Sequence, residues 1–140
     1  MYLLDTNVVS ELRKVRLGKA DRSVAAWADG VEAADLYLSV ITDQELEIGV
    51  LLAERRESSK GALLRTWLNT QVLPAFDGRI LAVDVAVAQR NARLHVPDPR
   101  PVRESLIAAT VLVHGMTVVT RNMSDFEPTG VAVLNPWAGA

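Results

Sequence analysis

A chain of 140 residues with 49% apolar content and no cysteine is long enough for one substantial core, and it excludes a disulfide framework, a thiolate metal site and a cysteine nucleophile. Its net charge of −2 argues against a plain electrostatic nucleic-acid binder, although Arg13, Lys14, Arg16, Lys19 and Arg22 form a basic run. No basic leader opens the chain and its longest apolar stretch, Leu106 to Val113, is far below the roughly 20 residues of a membrane span, so one soluble, cytoplasmic domain over residues 1–140 is expected.

Taken in chain order, the elements alternate. Tyr2-Leu3-Leu4 reads as a short buried strand ending at Asp5-Thr6-Asn7, and Val8 to Leu12 as the start of a helix. Leu36 to Val40 is rich in strand formers. Thr42-Asp43-Gln44-Glu45 fits a capping box, predicting a helix from there to about Arg56. Ala62 to Leu68 has helical spacing with Trp67 on its apolar side, and Ile80 to Val83 reads as a third strand. Val85 to Leu94 is helical, and the three prolines between Val96 and Pro101 stop it. Val102 to His114 is a strongly apolar helix with Gly115 placed to close it. Met116 to Thr120 and Val131 to Val133 complete the strands. Such alternation predicts an α/β fold, a parallel sheet of four to five strands covered by helices on both faces.

Sites on such sheets form at the carboxyl ends of the strands, where strand order reverses. Asp5 follows the first strand directly, Glu45 lies one turn into the helix after the second, and Asp125 stands five residues beyond Thr120. Glu104 heads the most apolar helix, above Ile107, Ala108 and Val111, and needs a partner if buried; Arg100 or Arg103 is a candidate. Each carboxylate also has a plain structural role open to it: Asp5 as a helix N-cap, Glu45 as the partner of Thr42, Glu104 near a positive helix end, Asp125 in a loop. Their coincidence at one sheet edge is what favours a site. Four like charges there would repel, and a divalent cation resolves the conflict; oxygen-only ligation suits Mg²⁺ or Mn²⁺, metals that support phosphodiester hydrolysis by activating water. His95 and His114 fit capping or surface roles, and no G-x-S-x-G, P-loop or G-x-G-x-x-G motif is present.

Five stretches together carry a resemblance: Tyr2 to Leu12, Glu45-Leu46 with Gly49, Leu106 to Thr110, Val119 to Asn122 with Asp125-Phe126, and Leu134 to Trp137. With them the sequence resembles the PIN-domain toxins of bacterial toxin–antitoxin operons, the VapC family, in its FitB-like branch. That resemblance implies a three-layer fold with strand order 3-2-1-4-5, Mg²⁺-dependent endoribonuclease activity, a homodimer, and a cognate antitoxin of the VapB or FitA kind covering the active site. It makes Asp5, Glu104 and Asp125 the metal-binding residues and Glu45 the fourth catalytic carboxylate. Asn7, Thr120 and Asn122 are the supporting polar residues. Arg13, Lys14, Arg16 and Arg121 are the candidates for holding the RNA backbone. Glu104 departs from the Asp usual at its position, its carboxylate reaching roughly 1.5 Å farther, so a PIN-fold module that only binds its antitoxin is the alternative. Asp98, in the Pro-rich loop, is a candidate to compensate. An aspartyl-phosphate phosphatase would need an acid where Asn7 stands.

Overall fold

The computed structural model describes residues 1–138. Five short parallel strands form one sheet: β1 (Tyr2–Leu4), β2 (Leu36–Ser39), β3 (Ile80–Leu81), β4 (Thr117–Val119) and β5 (Ala132–Leu134). Their order is β3-β2-β1-β4-β5, as the resemblance implies. Strand order reverses between β1 and β4, so the carboxyl ends of these two strands are where an open α/β sheet forms its crevice.

Alternation along the central strands builds the three layers. Leu3 and Val118 point to one face, and Leu4 and Val119 to the other; all four are fully buried. Leu4 and Val119 join a core with Val8 and Val9 of α1 (Thr6–Arg13) and Leu46 and Val50 of α3 (Val40–Arg56). Leu3 and Val118 pack on Ile107, Ala108 and Val111 of α7 (Val102–His114) and on Phe126 of α8 (Met123–Phe126). Gly115, at φ +65°, closes α7 in the left-handed conformation that glycine adopts without a steric penalty.

Several local features differ from the sequence expectation. α3 begins at Val40 rather than after Thr42: Ser39 is its N-cap, its hydroxyl accepting from Ile41 N at 3.0 Å. Thr42 is therefore inside the helix, fully buried, and its hydroxyl donates to Leu4 O at 3.5 Å instead of forming a capping box with Glu45. α1 starts two residues before Val8. The helix around Trp67 is longer than its apolar core, with α4 at Ser58–Trp67 continuing through a π-helical turn over Leu68–Val72 into α5 (Leu73–Ala75). Gly61 lets α4 approach α3, since a Cβ there would come within 2.5 Å of the Glu54 Cα. A helix not anticipated, α2 (Arg22–Asp29), is capped by Asp21, whose carboxylate accepts from Ser23 N and Val24 N. α6 occupies Val85–Leu94 as expected.

Candidate active site

Asp5 caps α1 and faces a cleft at the same time. Its Oδ1 accepts from Thr6 N at 2.8 Å, while Oδ2 accepts from the Thr120 hydroxyl at 2.8 Å and from Asn7 Nδ2 at 3.4 Å. Thr120, fully buried just past β4, in turn accepts from Asn122 N at 3.0 Å. The backbone supplies the same bracing, Asp5 N donating to Val119 O at 2.9 Å. Both roles considered for Asp5 are thus met by one side chain, because each carboxylate oxygen has its own donors.

The cleft beyond Asp5, of about 290 Å³, is lined by Thr6, Asn7, Glu45, Glu104, Ile107, Asn122 and Asp125. All four carboxylates singled out in the sequence therefore meet in one place. They arrive from four elements: the end of β1, the second turn of α3, the first turn of α7 and α8. Ile107 supplies an apolar wall. Burial pushes the Asp5 carboxyl above its ordinary range; its hydrogen bonds from Thr120 and Thr6 oppose that rise, and the charges of Glu104 and Asp125 add to it. Burial also raises Glu45, with the Asp5 charge next in importance and Arg103 acting against both.

Arg103 is the surprise among the cations. It was a candidate partner for Glu104, yet its Nη1 lies 4.0 Å from Glu45 Oε2. Arg100, the other candidate, is turned away: its Nε donates to Leu94 O at 2.8 Å, and its backbone N–H to His95 Nδ1 at 3.3 Å. His95 caps the C-terminus of α6 and its Nε2 meets the Ser105 hydroxyl at 3.0 Å, so it braces the loop that leads into α7. Asp98, exposed in that loop, does not line the cleft.

The basic candidates divide into two groups. Arg13, Lys14 and Arg16 do not line the carboxylate cleft: the Arg13 guanidinium sits over the Trp67 ring, 5.9 Å from its centroid, Lys14 pairs with Glu11 at 3.2 Å, and Arg16 Nη1 donates to Gln71 at 3.3 Å. Arg121 borders the cleft through its backbone, donating to Asn7 Oδ1 at 3.2 Å, and lays its guanidinium 5.2 Å from the Trp137 centroid. Sequence reasoning missed Thr6. Its buried hydroxyl stands at the cleft beside Glu45, where it acts against the rise in that carboxylate's proton affinity, and its place between Asp5 and Asn7 was the available signal.

The donor set fits a hard divalent cation in kind, being oxygen only, with a surplus of negative charge at one cleft. Among the described residues, no group of three or more acidic or histidine side chains is arranged so as to hold a metal ion.

A parallel 3-2-1-4-5 sheet with acidic side chains converging at its switch point defines a class, and the comparison with known proteins agrees. The chain belongs to the PIN-domain family, whose model matches residues 2–127. It is 38% identical over 145 residues to VapC ribonuclease Y4jK of Sinorhizobium fredii, covering 100% of both chains. It is 39% identical over 142 residues to Toxin FitB of Neisseria gonorrhoeae, covering 98% of this chain and 99% of that one. Against the crystal structure of FitAcB from Neisseria gonorrhoeae the TM-score is 0.88 at 38% identity, with 98% of this chain and 99% of that chain covered.

Proposed function

We propose that this chain is a Mg²⁺- or Mn²⁺-dependent endoribonuclease, one PIN domain over residues 1–140 and the toxin of a toxin–antitoxin pair. The observation that carries the reading is the convergence of Asp5, Glu45, Glu104 and Asp125 on one cleft at the sheet's switch point. The names of its relatives support it, two of them being called ribonucleases and one a toxin.

Asp5, Glu104 and Asp125 would hold the metal. Bound there, a divalent ion supplies charge stabilisation to the phosphoryl oxygens and a water made more acidic. The protein's own groups do the rest. Thr120 and Thr6 N fix the Asp5 carboxylate, so that one ligand is oriented before substrate arrives. Glu45 is the proton acceptor: burial and the Asp5 charge raise its affinity for a proton, and Arg103, with Nη1 4.0 Å from Oε2, acts against that rise. Asn7 and Asn122 line the cleft wall, Asn7 bracing Asp5 and the Arg121 backbone while the Asn122 amide is the one available to the phosphate. Arg121 is placed to meet the RNA backbone, whereas Arg13, Lys14 and Arg16 serve it only at a distance from the cleft.

The partner proposed is a cognate antitoxin of the FitA or VapB kind, with a homodimer of this chain as the working unit in the cytoplasm; no helix among the described residues is long and apolar enough to cross a membrane. A module that only binds its antitoxin gains no support, because Glu104 lines the cleft with the other three carboxylates. The test is cleavage of single-stranded RNA with Mg²⁺, with Mn²⁺ and with EDTA, comparing the parent with Asp5→Asn. Cleavage by the parent that needs the ion and is lost in the variant is expected, and equal cleavage by both sinks the reading.

A further inference from the structure

A second and larger cavity, of about 600 Å³, lies between α2 and the turn that follows β5. Ala26, Trp27, Leu134 and Pro136 give it apolar walls, and Arg22 and Asn135 add polar groups. No carboxylate lines it, in contrast to the acidic cleft.

The two cavities are joined by a continuous set of contacts. Asn7, on the wall of the cleft, accepts from Arg121 N. The Arg121 guanidinium covers Trp137, and Trp137 N donates to Asn135 Oδ1 at 2.9 Å on the groove side. Beneath them, Thr120 N donates to Leu134 O at 3.0 Å. A strand of RNA leaving the cleft along this sheet edge would pass the Arg121 and Trp137 stack and arrive at the groove.

The groove's chemistry suits a nucleobase. Its apolar walls include an indole, which favours a flat ring of any identity. The Asn135 carbonyl is already engaged by Trp137 N, which leaves its amide nitrogen to donate to a base edge. Arg22, exposed on the groove, and Arg121, stacked on Trp137, are the cations available to phosphates. We propose that this groove is a nucleobase subsite, taking an unpaired base of the RNA whose phosphodiester lies in the carboxylate cleft. The proposal rests on the ribonuclease reading, and it deepens that reading by naming unpaired RNA as the substrate form and α2 as a recognition element.

The test measures binding of a fluorescent single-stranded oligoribonucleotide to the full chain carrying Asp5→Asn, so that the RNA stays intact. Ala26 is exposed on α2, so Ala26→Glu places bulk and negative charge in the groove without touching the core, and Ala26→Leu places bulk alone. Each is expected to weaken binding by about tenfold, the scale of one lost stacking partner. One abasic nucleotide at the right position should cost the unfilled groove a similar factor and cost the Ala26→Glu form nothing further. Circular dichroism and melting of each variant separate a groove effect from misfolding, and Leu63→Glu, on an exposed position of α4, should bind as the unfilled form does.

The proposal is overturned if abasic positions are all tolerated, if both Ala26 variants bind normally, or if no form binds RNA. It is also overturned if Ala26→Glu loses the antitoxin while keeping RNA, which would assign the groove to a protein partner. Ion-dependent cleavage by the parent without any abasic effect rejects the subsite alone, whereas groove-dependent binding without cleavage rejects the catalytic reading alone.

Discussion

Asp5 and Glu104 bring the same charge into the same cleft and are held in opposite ways. Asp5 is gripped by donors from the start of α1 and from the residue after β4, and Thr120 behind it is gripped in turn by Asn122 N. Glu104 sits in the first turn of a helix whose N-cap, Pro101, offers no side-chain bond, and among the described residues its carboxylate accepts no hydrogen bond. Asp125 is exposed on the four-residue α8. One corner of the site is therefore built in advance, and Glu104 and Asp125 are arms that adjust. The price of that corner is a carboxylate held above its ordinary proton affinity. A longer acid at position 104 is tolerable under this division, because an arm without fixed partners can retract.

The largest effect expected is the loss of charge at the built corner. Asp5→Asn should lower RNA cleavage by on the order of 10³, as removal of a preorganised electrostatic group does, measured at saturating Mg²⁺. Next come two substitutions that keep charge and shift it by one methylene. Asp5→Glu should cost on the order of 10², because the fixed donors cannot follow a displacement larger than about 0.5 Å. Glu104→Asp should change kcat by less than about tenfold in either direction, by the same tolerance argument applied to a side chain without fixed partners. The reverse ranking would break the distinction between corner and arm.

Thr120→Val sharpens it. The variant keeps every carboxylate and removes only the hydroxyl that orients Asp5 and accepts from Asn122 N. Cleavage should fall by about 10- to 100-fold, the usual cost of losing a group that orients a ligand. Stability to urea should fall by about 1–3 kcal/mol, since a buried carboxylate oxygen and an amide lose their partner. A variant of normal activity and reduced stability would show that Thr120 is structural only.

Much of this site was legible in the sequence, and for one physical reason: residues that follow parallel strands are forced onto one edge of the sheet. Asp5, Glu45 and Asp125 were found by that rule, and Glu104 by the oddity of a charge heading an apolar helix. What was illegible depended on distances between elements. Arg103 faces Glu45 rather than Glu104 because α3 and α7 pass each other at the cleft, which neither segment encodes by itself. The Thr42 and Glu45 capping box failed because Ser39 caps first, so that β2 passes into α3 without a loop. α2 was hidden by its setting: a basic run leads into it, and its one fully buried residue, Val24, gives a weak periodic signal. The third strand shrank to Ile80–Leu81 because it lies at the sheet edge and pairs with β2 alone.

The smallest effect tests the same corner without any catalysis. In the metal-free protein, the Asp5 carboxyl binds its proton more tightly folded than unfolded, because burial outweighs the donors. The folded state then holds more protons than the unfolded chain between the ordinary Asp range and the raised value. Stability from this group is present at acid pH and lost as pH rises through that window. Above that window Asp5 is an ionised, partly buried charge, and Asp5→Asn removes it. The metal-free variant should therefore melt above the parent by about 3 °C on the alkaline side of that window, a gap that narrows as pH falls through it. Mg²⁺ should reverse the order, raising the parent's melting temperature in proportion to ion saturation and leaving the variant nearly unmoved. A parent more stable than Asp5→Asn without metal would mean that the Thr120 and Thr6 hydrogen bonds outweigh burial, and the corner would then be held at no cost in stability.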